Sequence, residues 1–330
     1  MIKYFNTGYF SRYSMILFIG IIIWIPAFII PENYTGIISY AYGILLEIAG
    51  GNNLIITAVS FVLTIFTALL LNKVAIDNGL IGKVSTIVFV LYILISGSLT
   101  GCFHNNPVVW INFLMVFVWS ALMKLPYSRN TLPIIFNASF LTGIASLFNS
   151  QLVFMFVLIW LAIFIHRIVT WRNLVVTLVG ITMPYFLLLS WFFFKGQLLE
   201  ESYDLFNSLM FDISVVYPVD YLNILTFTML IGITAVSVLG TMGSLTENSI
   251  NRRRNLLITV VNFFVAFAIL IVFSKTLVNI LLLAVPVVLL TGYWFSHVRT
   301  SKWYNFTLIV LLVFIILNQY LNLVFTLLEI

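Results

Sequence analysis

The few charges of this chain fall in an order that leaves little choice of fold. Eleven apolar runs divide its 330 residues, and the links between them are alternately basic and acidic or nearly uncharged. With Lys3 and Arg12 set in the cytoplasm, 13 of the 15 Lys and Arg residues share that side, and 8 of the 10 carboxylates fall opposite. Short cytoplasmic loops of inner-membrane proteins retain Lys and Arg, so this sorting predicts an orientation: amino terminus cytoplasmic, carboxyl terminus periplasmic, in a bacterial inner membrane.

The runs are 14–30, 53–71, 83–99, 107–123, 132–148, 151–165, 174–194, 222–241, 256–273, 276–293 and 306–322. They are continuous, without the period-two alternation of a membrane barrel, and most approach the length that crosses a hydrocarbon layer of about 30 Å. The predicted fold is all-α: a polytopic bundle of about eleven transmembrane helices, one membrane domain over residues 1–330. With 62% hydrophobic and 8% charged residues, the chain has too few charges to cover a soluble core. The net charge of +5 sits in short loops beside the runs, where it sets topology and meets anionic head groups, so nucleic acid is not an expected partner. Cys102 is the single cysteine, which excludes an internal disulfide and a Cys-based zinc site. The first run is too long for a signal-peptide core and ends without a small-residue cleavage site, so it is expected to stay as a helix.

Two outer segments are more than turns. In the first, Ile37, Ile38, Ala41, Leu45 and Ile48 recur at helical spacing and Gly50 and Gly51 follow. This predicts a short helix near 36–49 lying flat in the outer interface. The second, 195–221, mixes Glu200, Glu201, Asp204, Asp212 and Asp220 with Tyr203, Phe206, Phe211 and Tyr217. It reads as an acidic cap over the outer mouth, and as a surface where other envelope proteins could dock.

No run carries Lys, Arg, Asp, Glu or His near its centre, which argues against an ion-coupled transporter or proton pump. The polar groups inside runs are Asn112, Asn137, Asn262 and Asn279, with a small-residue stripe of Ser139, Thr142, Gly143 and Ser146. Helix packing is the expected use of that stripe. Glu32 follows the first run and Pro31; a carboxylate there can take a proton from a hydroxyl acceptor, or can simply be a solvated loop residue. Lys195 and Lys275 are the outer cations, suited to a phosphate or to snorkelling at the interface. His104 and Asn105 share the outer turn 100–107 as candidate substrate contacts. One histidine is too few ligands for a metal, and neither metal nor cofactor is expected.

From Tyr40 to Pro184 the chain is similar in outline to the GT-C membrane glycosyltransferases that use polyprenyl-phosphate sugars. The resemblance is carried by Tyr42-Gly-Ile-Leu-Leu-Glu-Ile-Ala-Gly-Gly-Asn-Asn53, Ala68-Leu-Leu-Leu-Asn-Lys73, Phe140-Leu-Thr-Gly-Ile-Ala-Ser-Leu-Phe148, His166-Arg167 and Gly180-Ile-Thr-Met-Pro184. It implies helices one to seven and the interfacial helix as a GT-C-like part over 1–194, with 222–330 adding helices eight to eleven. It also implies Glu32 as catalytic base, Lys195 or Lys275 holding phosphate, and transfer with inversion at the outer face. The chain departs from the family in lacking an acidic pair in the first outer loop and a basic residue in 53–71, so a relative that kept the scaffold without the chemistry is the other form of this expectation. It is also similar to bacterial integral-membrane proteins of this length. The leading expectation is a GT-C-like glycosyltransferase or glycan-handling protein. The runner-up is a non-enzymatic subunit that docks partners in envelope assembly or secretion, and third comes a transporter of an apolar or lipid-linked substrate.

Overall fold

The computed structural model describes residues 10–31, 39–98, 106–199, 202, 203, 205, 221–273, 277–297 and 302–328, and among these it is helical with no strand. In chain order the helices are α1 (Phe10–Ile29), α2 (Tyr40–Ile48), α3 (Asn53–Asp77), α4 (Ile87–Ser96), α5 (Pro107–Lys124) and α6 (Leu132–Phe148). Then follow α7 (Phe156–His166), α8 (Trp171–Lys195), α9 (Tyr221–Gly243), α10 (Ile250–Phe273), α11 (Ala284–His297) and α12 (Lys302–Leu327). Tighter 3-10 segments, Ser150–Met155 and Leu277–Leu283, lead into α7 and α11.

Each apolar run falls on a helix, but the helices divide by length. Eight of those described are long and apolar enough to cross a membrane: α1, α3, α5, α8, α9, α10, α11 with its lead-in, and α12. The other three, α4, α6 and α7 with its lead-in, are apolar but shorter. The short helix α4 has a physical explanation. All ten of its residues are buried, so it spans only about 15 Å and has no lipid-facing side whose length must match the bilayer.

A helix ending inside an apolar interior must satisfy its terminal backbone groups there. Side chains from neighbouring helices do this for α4. At its start, Asn72 of α3 donates Nδ2 to the Ser85 carbonyl (3.1 Å) and accepts from the Phe89 N–H (3.3 Å). At its end, Asn318 of α12 donates to the Ser98 carbonyl and Gln319 to the Gly97 carbonyl, both at 3.2 Å. Asn112 of α5 likewise donates to the Leu281 carbonyl in the lead-in to α11, at 2.9 Å. Asn72, Asn112 and Asn318 thus complete the backbone of neighbouring segments.

The stripe on α6 packs. Ser139, Thr142 and Ser146 return their hydroxyls to carbonyls of their own helix, leaving a low surface against α8. There a Cβ on Gly143 would lie 2.7 Å from the Ile181 carbonyl, and one on Gly180 would lie 2.6 Å from Ser139 Cβ. Backbones this close are what small residues permit in a membrane helix pair.

Contacts between links gather the basic loops at one end. His166 Nε2 meets the Leu122 carbonyl at 3.2 Å, Thr131 bonds Asn173, and Gly79 abuts the Arg252 guanidinium. Lys73, Lys83, Lys124, Arg129, Arg167, Arg172 and Arg252 to Arg254 belong to these links. At the opposite end, Asn149 reaches Asn279 at 3.5 Å and Tyr40 packs edge-on against Phe192, ring centroids 4.8 Å apart.

Candidate functional site

Of the residues singled out for chemistry, Glu32, His104, Asn105 and Lys275 lie outside the described residues. Lys195 lies within them. It is the last residue of α8, exposed, with Nζ 5.3 Å from the centroid of the Trp191 ring one turn earlier. Gly196 ends the helix at φ +73°, a left-handed conformation that glycine adopts without strain. Phe192, buried on the other side of that turn, holds Tyr40 of α2, so Lys195 and α2 share the end opposite the basic loops. Of the cap at 195–221, only residues 195–199, 202, 203, 205 and 221 are described.

The helix expected near 36–49 is observed as α2, nine residues long. Its sides divide between protein and the outside. Tyr42 is the side chain that turns inward and is fully buried, whereas Ile48 of the stripe is exposed. α2 packs against α6 and meets the end of α8 through Tyr40, with part of its aliphatic side left outward. Gly50 and Gly51 follow it at φ +61° and +70°.

Among the described residues no group of three His, Cys, Asp or Glu side chains could hold a metal ion. The interior around α4, α5 and α6 is filled by one continuous hydrophobic cluster. A spacious apolar feature lies elsewhere, between the consecutive helices α9 and α10. Both pack mainly on α11 and meet each other at the small cluster of Val238, Val260 and Leu290. A crevice of about 400 Å³ remains between them, within the range of ligand pockets.

Its walls are Leu230, Thr234 and Leu239 of α9 and Phe263, Phe264 and Phe267 of α10, over a floor that includes Leu281, Ala284 and Val287. Leu239, Phe264 and Ile231 are exposed at the rim, so the crevice opens sideways from the bundle. It is closed toward the basic end. There Tyr293 of α11 holds the α9–α10 link, its hydroxyl bonded to Ser244 Oγ (3.1 Å) and Asn248 Nδ2 (2.7 Å), and Gly240 lies against the Trp294 ring. Ser98, at the end of α4, is the deepest polar residue, and its hydroxyl is already given to the Ile95 carbonyl at 2.8 Å.

Such a space offers water almost no hydrogen-bonding partner, and a hydrocarbon chain loses nothing by entering it. It contains no acid, base or nucleophile. It can therefore bind and orient an apolar tail, and any bond-breaking would occur elsewhere. The sequence reading missed this feature; the one local hint was Phe-Phe-x-x-Phe at 263–267 in the middle of an apolar run, which by itself reads equally as lipid-facing surface. No family model matches this chain, and no curated protein or solved structure matches it either.

Proposed function

We propose that this is a multi-pass protein of a bacterial inner membrane, with eleven crossings, the amino terminus cytoplasmic and the carboxyl terminus periplasmic, that handles a lipid-linked substrate. The crevice between α9 and α10 takes the substrate's hydrocarbon tail. The single observation supporting this is a sideways-opening, apolar space of about 400 Å³ in a bundle whose other described helices pack tightly. The substrate class is a polyprenyl-phosphate-linked sugar. In that reading Glu32 takes the proton from an acceptor hydroxyl, the acceptor oxygen attacks the anomeric carbon with inversion, and the polyprenyl phosphate leaves to Lys195 or Lys275, with His104 and Asn105 contacting the sugar. A filled interior is the expectation for a docking subunit, and a sideways-opening cavity is equally the expectation for the third reading, a transporter of an apolar or lipid-linked substrate.

A photo-crosslinking amino acid placed at Phe264, on the rim, and at Phe186, exposed on α8, tests the proposal in native membranes. The expected result is capture of an isoprenoid lipid at Phe264 with only bulk phospholipid at Phe186. Identical lipid profiles at the two positions would remove the tail site. Glu32→Gln tests the chemistry independently: glycosyl transfer should stop while crosslinking at Phe264 persists, and unchanged transfer would leave a lipid-binding protein without that base.

A further inference from the structure

The α5–α6 and α7–α8 links meet at the basic end and line a second hollow, of about 670 Å³ and open to the outside. Two guanidinium groups line it, Arg129 from the first link and Arg172 from the first turn of α8, with Asn130, Thr131, Thr170 and Trp171 completing the wall. No carboxylate is among its lining residues. Two like charges sharing one concavity repel each other, and an anion between them reverses the sign of that term.

The hollow is held together by a buried tie. Asn173, 3% exposed, donates Nδ2 to the Ile168 carbonyl at 2.6 Å and accepts from Thr131 Oγ1 at 3.4 Å. The Asn173 N–H in turn donates to Thr170 Oγ1 at 3.3 Å. The two links, more than forty residues apart in sequence, are thereby fixed against one another, so the arginines are presented by a braced frame. α6 and α8 also begin here, and their first-turn N–H groups add positive partial charge to the guanidiniums.

The rim indicates the source of the anion. Trp171 of its wall is 79% exposed, and an aromatic side chain left outward at the end of a membrane helix sits at head-group level. We propose that this hollow is a phosphate site in which Arg129 and Arg172 pair with the phosphodiester of an anionic lipid in the leaflet at the basic end. Guanidinium suits that partner because its planar fork donates two parallel hydrogen bonds to phosphate oxygens. The site is separate from the α9–α10 crevice and does not depend on the function proposed for it.

Native mass spectrometry of the full chain, titrated with phosphatidylglycerol or phosphatidylcholine, tests this. Wild type should hold phosphatidylglycerol in preference to phosphatidylcholine. Arg129→Gln with Arg172→Gln should weaken that binding about thirtyfold, since each basic group near an anionic surface contributes a few-fold to tenfold. Arg253→Gln, an exposed arginine at the same end that does not line the hollow, should bind like wild type. Arg129→Lys with Arg172→Lys should recover part of the loss, because charge is retained and the fork is not.

Inorganic phosphate at millimolar concentration distinguishes the two sources. Lipid as ligand predicts no displacement. Phosphate that binds wild type, is lost in the double Gln variant and shows no lipid preference would keep the site and overturn its assignment to lipid. Equal weakening by Arg253→Gln, or none in the double Gln variant, would overturn the site itself.

Discussion

Two helix pairs in this bundle are built in opposite ways. α6 and α8 meet with backbones nearly touching, because Ser139 and Gly143 face Gly180 and Pro184 and nothing larger stands between them. α9 and α10 follow each other in the chain with only a short link, yet they diverge and leave room for a guest. Gly232 of α9 has open space where a Cβ would go, so a small residue alone does not bring helices together. In lipid there is no water to expel, and association depends on surfaces that fit. The α6–α8 seam has such complementarity. On α10, Phe263 reaches the small cluster of Val238, Val260 and Leu290, but Phe264 and Phe267 stay exposed and the space beside them is left open.

The contrast can be broken most severely with two phenylalanines. Phe89 of α4 is fully buried, and Phe89→Ala should cost about 3–5 kcal/mol through the cavity it leaves. Phe264→Ala removes a side chain already half exposed at the crevice rim and should leave thermal unfolding in detergent within a degree or two of wild type. Equal losses would mean that the crevice is as closely packed as the core.

Glycines sharpen the same contrast. Gly180→Leu must displace α6 backbone and should cost about 1–3 kcal/mol, whereas Gly232→Leu should be neutral by the same thermal assay. A stable Gly180→Leu protein would show that the seam has another way to pack. Next in size is Asn318→Leu, which strips the Ser98 carbonyl of a partner and breaks the 2.9 Å bond to Asn223. A loss of about 1–3 kcal/mol is expected, read as a lowered unfolding temperature; no change would mean that another donor takes over. The smallest effect belongs to Lys195→Gln. An exposed cation over a ring on its own helix contributes about 0.5–1 kcal/mol at most, so stability should hardly move, and any large fall in lipid-substrate turnover would have to come from substrate contact.

Much of the architecture was legible in the chain. Each apolar run became a helix, and the stripe of Ser139, Thr142, Gly143 and Ser146 served packing, because small side chains in an apolar run have few other uses. The lengths were less legible. Run 83–99 became a ten-residue helix since its termini are completed by Asn72, Asn318 and Gln319, partners far away in sequence. The inward turn of Tyr42 on α2 was likewise hidden: a segment apolar on several sides does not reveal which side meets protein and which meets lipid. Glu32, His104, Asn105 and Lys275 lie outside the described residues, and of the positions proposed for chemistry Lys195 alone has a described setting.

Hydropathy and charge along the chain were sufficient to determine that it forms apolar helices, most of them of membrane-crossing length, with basic residues confined to alternate links, because both are properties of consecutive residues and need no partner. Which helices touch, which Asn completes which terminus, and where two arginines or a lipid tail find a hollow were decided only in three dimensions. Those outcomes depend on the rotation and tilt of each helix against its neighbours, and an apolar residue is equally at home against lipid or against protein.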